Sequence, residues 1–141
     1  MKRLLLDVNV VLDVLEDRKP HAAASGLVWA AIERGSGKGL LAAHGLTTIH
    51  YRMARDRGAR VARQAVEDML RVFGVAAVDD AVIRTALGLS CRDFEDAVAA
   101  AAAHVAGCDA IVTRDVAGFR SSPVPAIEPR TAVAWLAAEG G

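Results

Sequence analysis

Residues 1–15, MKRLLLDVNVVLDVL, decide how the rest of the chain is read. Leu4, Leu5 and Leu6 are consecutive and apolar, as in a strand covered on both faces; a half-buried strand would alternate apolar and polar side chains. From Asn9 the spacing turns helical, so a core strand gives way to a helix within three residues, with Asp7 at the junction. A carboxylate is almost never buried without a partner. Asp7 therefore calls for a helix N-terminus, a hydrogen-bond network or a cation.

Beyond this opening the chain alternates strand and helix. HAAASGLVWAAIERG is a second amphipathic segment ending at Gly35, and GSGKG turns into LLAA, another short buried strand. Two Arg-rich helices are expected from Leu46 to Asp56 and from Ala59 to Phe73, with Gly58 as the break. VAAV, then a helix from Asp80 to Leu89, follow. DFEDAVAAAAAHVAG has acids at its start, alanines through its middle and a glycine at its end, all favourable to a helix. AIVT reads as a strand, VPAI as an edge strand between prolines, and RTAVAWLAAEG as a closing helix. Such alternation predicts a single α/β domain over residues 1–141, a parallel sheet covered on both faces and joined by right-handed crossovers. Ligands of such sheets bind outside the carboxyl ends of the strands. Asp7 and Asp115 each follow an apolar strand and so fall on that edge.

Composition narrows the function. With 141 residues the chain can bury roughly two-thirds of the surface its unfolded form exposes, so neither a metal nor a disulfide is needed to hold the fold. Lys and Arg total 17 against 17 Asp and Glu, and no overall positive field draws the protein to nucleic acid. Two cysteines, Cys91 and Cys108, make no disulfide framework or four-ligand zinc site. No signal-peptide core and no membrane span are read, and a cytoplasmic location is expected.

Asp96 admits two readings. Asp93 is suited to cap the helix, with Asp96 as its box partner and Glu95 favoured by the positive helix end. Alternatively, Asp96 and Ala100 share the face turned to the sheet, which aims the Asp96 carboxylate at the strand ends. Three carboxylates gathered there would repel by about 4 kcal/mol per close pair at an effective dielectric near 20. Protons or a cation must then neutralise them. Oxygen-only ligands favour Mg2+ or Mn2+, and such an ion suits phosphodiester hydrolysis.

LLLDVNVVLDVL, DFEDAVAAAAA and DAIVTRDVAGF, in this order and spacing, resemble the three best-marked motifs of the PIN-domain family. The resemblance covers essentially the whole chain and implies a three-layer α/β/α fold. It implies a Mg2+- or Mn2+-dependent ribonuclease of the VapC toxin type, with Asp7, Asp96 and Asp115 forming the acidic metal site. Asn9 and Thr113 match supporting polar positions. It also implies an RNA substrate, a homodimer and an antitoxin whose tail enters the acidic site. One departure is visible: where PIN nucleases usually carry a further acid, this chain has Thr48, with His50 nearby and no carboxylate before Asp56. Threonine can hold a water but supplies no negative charge. That departure keeps open a second class, a PIN-like RNA- or protein-binding module without turnover.

The one locally basic region includes Arg52, Arg55 and Arg63, candidates for phosphate contacts on a face otherwise read as solvated. Phosphatases of the haloacid dehalogenase type and receiver domains also begin with an apolar strand and an aspartate. Both use a lysine late in the fold, whereas the lysines here are Lys2, Lys19 and Lys38.

Overall fold

The computed structural model describes residues 1–140. Strand β1 (Arg3–Leu6) leads into α1 (Val8–Leu15) and α2 (Ala22–Glu33); β2 (Lys38–Ala42) leads into α3 (Ala43–Arg57) and α4 (Ala59–Val72). Then come β3 (Gly74–Ala76), α5 (Asp80–Leu87), α6 (Phe94–Val105), β4 (Ala110–Val112), a 3-10 turn (Val116–Phe119), β5 (Ala126–Ile127) and α7 (Pro129–Gly140). All strand pairings are parallel, in the order β3-β2-β1-β4-β5.

The run of three leucines does what a doubly covered strand requires. Leu4 and Leu6 enter one core with Val10, Val11 and Leu12 of α1 and with residues of α2, α3, α4 and α7. Leu5 points the other way, into a second core with Ile111 and the residues of α5 and α6. The same division by alternate residues runs through β2 and β4: Leu41, Ala110 and Val112 join the first core, Leu40, Ala42 and Ile111 the second. Three layers result, as the alternation of elements predicts. In α6 every residue from Ala97 to Ala103 is buried. Its mostly small side chains let this helix pack closely against the sheet on one side and against α5 on another.

Several boundaries shift from their sequence expectation: β2 begins at Lys38 within the expected turn, β3 covers Gly74–Ala76 rather than VAAV, and α5 ends at Leu87 rather than Leu89. Helix α3 starts at Ala43 rather than Leu46, because the extended backbone of Ala42 passes straight into the helix without a side-chain cap. Gly45 is inside the helix at a close approach: a Cβ there would stand 3.1 Å from a Val8 methyl. The edge strand VPAI shrinks to Ala126–Ile127, although the Pro125 carbonyl still accepts from Ile111 N at 2.8 Å. Proline keeps its acceptor but has no N–H to give.

The chain steps from β1 outward to β2 and β3, then returns to the opposite side of β1 as β4. The switch of direction therefore lies between β1 and β4, where an open α/β sheet presents a crevice at its carboxyl edge. Asp7 follows β1 and Thr113 follows β4.

Candidate metal centre and its acidic groove

Asp7 continues the sheet by one residue, its N–H donating to the Val112 carbonyl at 2.9 Å, and it also stands at the N-cap position of α1. Its carboxylate makes no capping bond to that helix. The side chain is instead held by Thr113, whose hydroxyl donates to Asp7 Oδ2 at 2.9 Å. Thr113 is 0 % exposed, and its hydroxyl also accepts from the Asp115 N–H at 3.0 Å. One buried hydroxyl thus ties together two acids that follow neighbouring strands.

Asp115 caps the 3-10 turn, accepting from Gly118 N at 3.2 Å. A Cβ at residue 118 would stand 2.6 Å from Asp115 Oδ2, so this turn has room for the carboxylate only with glycine there. The same Oδ2 accepts from Arg92 Nη1 at 2.8 Å, an ion pair with side chains 48 % and 62 % exposed respectively. So exposed a pair contributes little to stability, but it keeps a cation against the acid.

Helix α6 brings in the remaining acids. Asp93 is its cap, accepting from Asp96 N at 2.8 Å. No return bond from the Asp96 carboxylate to Asp93 is seen among the described residues, and Asp96 lines the groove beside Asp7. The cap and the candidate ligand are therefore different residues. Glu95 also turns into the groove, where its Oε1 accepts from the Thr48 hydroxyl at 3.4 Å. Sequence reasoning assigned Glu95 to the helix dipole and missed this. The signal available was the missing acid at Thr48, which raises the question of what replaces it.

Together Asp7, Val8, Asn9, Thr48, Arg52, Arg92, Asp93, Glu95, Asp96 and Asp115 line a groove of about 340 Å3. Asp7, Asn9, Thr48, Arg52, Asp96 and Asp115 are brought together here, and Thr113 is bonded to Asp7 and Asp115. Asn9 also accepts from Arg18 Nη1 at 3.5 Å. Arg55 and Arg63 do not line the groove; each pairs with an acid of its own helix, Asp56 at 2.8 Å and Glu67 at 3.2 Å. His50 is exposed and outside the lining.

The acids perturb one another. Burial pushes the Asp7 carboxyl up, opposed by the Thr113 hydroxyl and the nearby Val8 N–H, with the Glu95 charge adding less and the Arg114 charge opposing it. Burial, followed by the charges of Asp93, Asp7, Glu95 and Asp115, pushes Asp96 up to about 7. Such a cluster attracts protons or a cation. Among the described residues, no three acidic, histidine or cysteine side chains converge on one point as an assembled ligand set. The donor chemistry nonetheless suits a hard divalent ion: carboxylate and hydroxyl oxygens, with neither thiolate nor imidazole in the lining.

A pH dependence follows. The folded Asp96 holds its proton up to about 7, whereas an unfolded aspartate gives it up near 3.9. Between those values the metal-free folded state binds more protons than the unfolded chain, so its stability falls as pH rises. Melting temperatures of metal-free protein should therefore drop between pH 5 and pH 8, with a shallower drop in Asp96→Asn. Equal slopes in thermal melts of the two proteins would show that Asp96 does not feel its neighbours.

Fold and site together define a class: three-layer α/β/α domains with an acidic groove at the carboxyl edge of a parallel sheet. Residues 3–117 match the model of the PIN domain, and the chain belongs to the PIN-domain family. Several solved structures share the fold. A chain of VapBC2 from Rickettsia felis, bound to a DNA fragment from its promoter, has a TM-score of 0.68 at 10% identity over 89% of this chain and 98% of that chain. VapC20 from Mycobacterium tuberculosis, described as a sarcin-ricin loop cleaving toxin, has a TM-score of 0.63 at 16% identity over 77% and 86%. A chain of FitAcB from Neisseria gonorrhoeae has a TM-score of 0.65 at 19% identity over 89% and 97%. No curated protein sequence matches the chain. Among the described residues no helix is long and apolar enough to cross a membrane.

Proposed function

We propose that this PIN domain is a divalent-metal-dependent endoribonuclease and the toxin of a toxin-antitoxin pair. The observation that carries this reading is the groove at the β1/β4 switch point, where Asp7, Asp96 and Asp115 from three separate elements line one cavity. Asp7, Asp96 and Asp115 would hold Mg2+ or Mn2+. When bound, the ion supplies Lewis-acid activation of the phosphodiester and of the attacking water. Thr113 orients Asp7 and Asp115 from below, and Asn9 borders the groove from the first turn of α1. Arg52, on the same groove wall as Thr48, offers its guanidinium to the RNA backbone; its Nε is buried without a partner. No histidine is needed as a base.

An antitoxin partner is supported by the toxin-antitoxin complexes that share the fold, and the family resemblance extends the proposal to a homodimer and a cytoplasmic location. A second reading, a binding module without turnover, is favoured by Thr48 and by the Arg92–Asp115 pair, which sets a cation of the protein's own on one acid. Incubating a structured RNA pool with the protein and Mn2+, with and without chelator, separates the two. Metal-dependent cleavage supports the nuclease; binding without cleavage supports the module.

The arginines give a separate test. Arg55 and Arg63 already hold acids, so they contribute to RNA binding only as far as RNA displaces Asp56 and Glu67. Arg52→Ala should lower the slope of log affinity against log salt by about 0.7 on single-stranded RNA, and Arg63→Ala by less. Filter binding at several salt concentrations measures both, and equal slopes for wild type and Arg52→Ala would remove Arg52 from the interface.

A further inference from the structure

Where the family pattern carries an acid, this chain has Thr48. We infer that Glu95 supplies that acid from the opposite wall, acting as the fourth anionic metal-binding residue in a site whose other acids are Asp7, Asp96 and Asp115. The inference rests on the metal-dependent reading above and adds to it a residue to which the resemblance assigns no role.

Geometry carries it. Thr48 is on α3 and Glu95 on α6, and their side chains meet across the groove, Thr48 Oγ1 donating to Glu95 Oε1 at 3.4 Å. A carboxylate arriving from α6 thus ends where a glutamate on α3 would have to reach. The backbone of Glu95 is tied to the same wall: His44 Nε2 donates to the Glu95 carbonyl at 3.1 Å. That bond joins the starts of the two helices, 51 residues apart in sequence, and fixes the level at which Glu95 enters. At residue 48 a glutamate would have to share this space with Glu95, and two carboxylates in contact repel. Threonine removes the repulsion and donates a hydrogen bond to the acid that remains.

A solvated residue at a helix start would be indifferent to Thr48. A metal-binding residue would not, and an exchange of the acid between the two walls distinguishes them. Mn2+ affinity is measured by calorimetric titration, and the Mn2+-induced rise in melting temperature on the same samples, for wild type, Glu95→Gln, Thr48→Glu, the double variant Thr48→Glu/Glu95→Gln, and Asp7→Asn. Glu95→Gln should weaken Mn2+ binding by about tenfold or more and shrink the thermal shift. Thr48→Glu should help little in the wild-type background, where Glu95 fills the place. In the Glu95→Gln background it should restore most of the lost affinity, because only one wall then carries the acid. Unchanged affinity in Glu95→Gln with loss in Asp7→Asn overturns the role of Glu95 and leaves the metal site standing. Unchanged affinity in Asp7→Asn overturns the site itself. Equal gains from Thr48→Glu in both backgrounds also overturn the inference, since they would mean that residue 48 and Glu95 act independently.

Discussion

Asp7→Asn should abolish Mn2+-dependent RNA cleavage while leaving the fold at least as stable as it was. Asparagine keeps an oxygen to accept from the Thr113 hydroxyl, so the contact that positions residue 7 survives the change. What disappears is a negative charge at the centre of the groove. Metal-supplied charge stabilisation is worth several kcal/mol, and at 1.36 kcal/mol per decade its loss corresponds to a fall in rate of about 10³-fold or more. Burial already disfavours the ionised form of Asp7 in the metal-free protein. Removing that charge therefore relieves the cluster, and the melting temperature without metal should stay level or rise. Single-turnover cleavage and paired thermal melts check both halves. A variant that cuts RNA at the wild-type rate would take Asp7 out of the mechanism, and one that fails to fold would show that the carboxylate is structural.

The largest effect on stability is expected away from the groove, at Asp13. This carboxylate is 0 % exposed, and Arg114 meets it with two hydrogen bonds, Nε at 2.7 Å and Nη2 at 3.2 Å. Arg18 stands farther off, at 3.9 Å. The pair joins the first helix to the loop that carries Asp115. Arg114→Met would strand a buried charge with one distant partner, and breaking such a pair typically costs about 3–5 kcal/mol. For a chain of this size that is a fall in melting temperature of roughly 10 °C. Asp13→Leu combined with Arg114→Met removes both charges together and should recover most of the loss, because the penalty belongs to the unpaired carboxylate. Urea unfolding of the single and double variants measures the coupling. A single variant within about 0.5 kcal/mol of wild type, the usual range for surface changes, would mean that Arg18 or water replaces Arg114.

Much of this architecture is legible in the amino-acid order because its signals are local. Three consecutive leucines before Asp7, alanines through α6 and apolar residues before Asp115 each report one element, and alternating elements imply a parallel sheet with a carboxyl edge. Asp7 and Asp115 could be placed on that edge without coordinates. Asp96 was ambiguous because one helix start can both cap and aim a carboxylate. Here Asp93 caps and Asp96 faces the groove, a division that depends on how α6 lies against the sheet. Glu95 was missed for a related reason: whether it meets Thr48 depends on the distance between α3 and α6, which no local pattern encodes. The partners of Asp13 were hidden too. Its burial could be suspected from an apolar helix, but Arg114 is 101 residues away. For the arginines the difficulty is reversed, since the sequence shows a basic face and only the structure shows which members are already paired.

The central claim is that the acids of this groove jointly hold a divalent ion, and calorimetric titration of Mn2+ at pH 6 and pH 8, in two buffers of different protonation enthalpy, tests it most directly. Asp96 holds its proton up to about 7, and an ion binding there must displace it. Wild type should bind more weakly at pH 6 than at pH 8 and release protons at the lower pH, whereas Asp96→Asn should lose most affinity and most of the proton release. Binding of equal strength at both pH values, with no proton release and no change in Asp96→Asn, would contradict the claim.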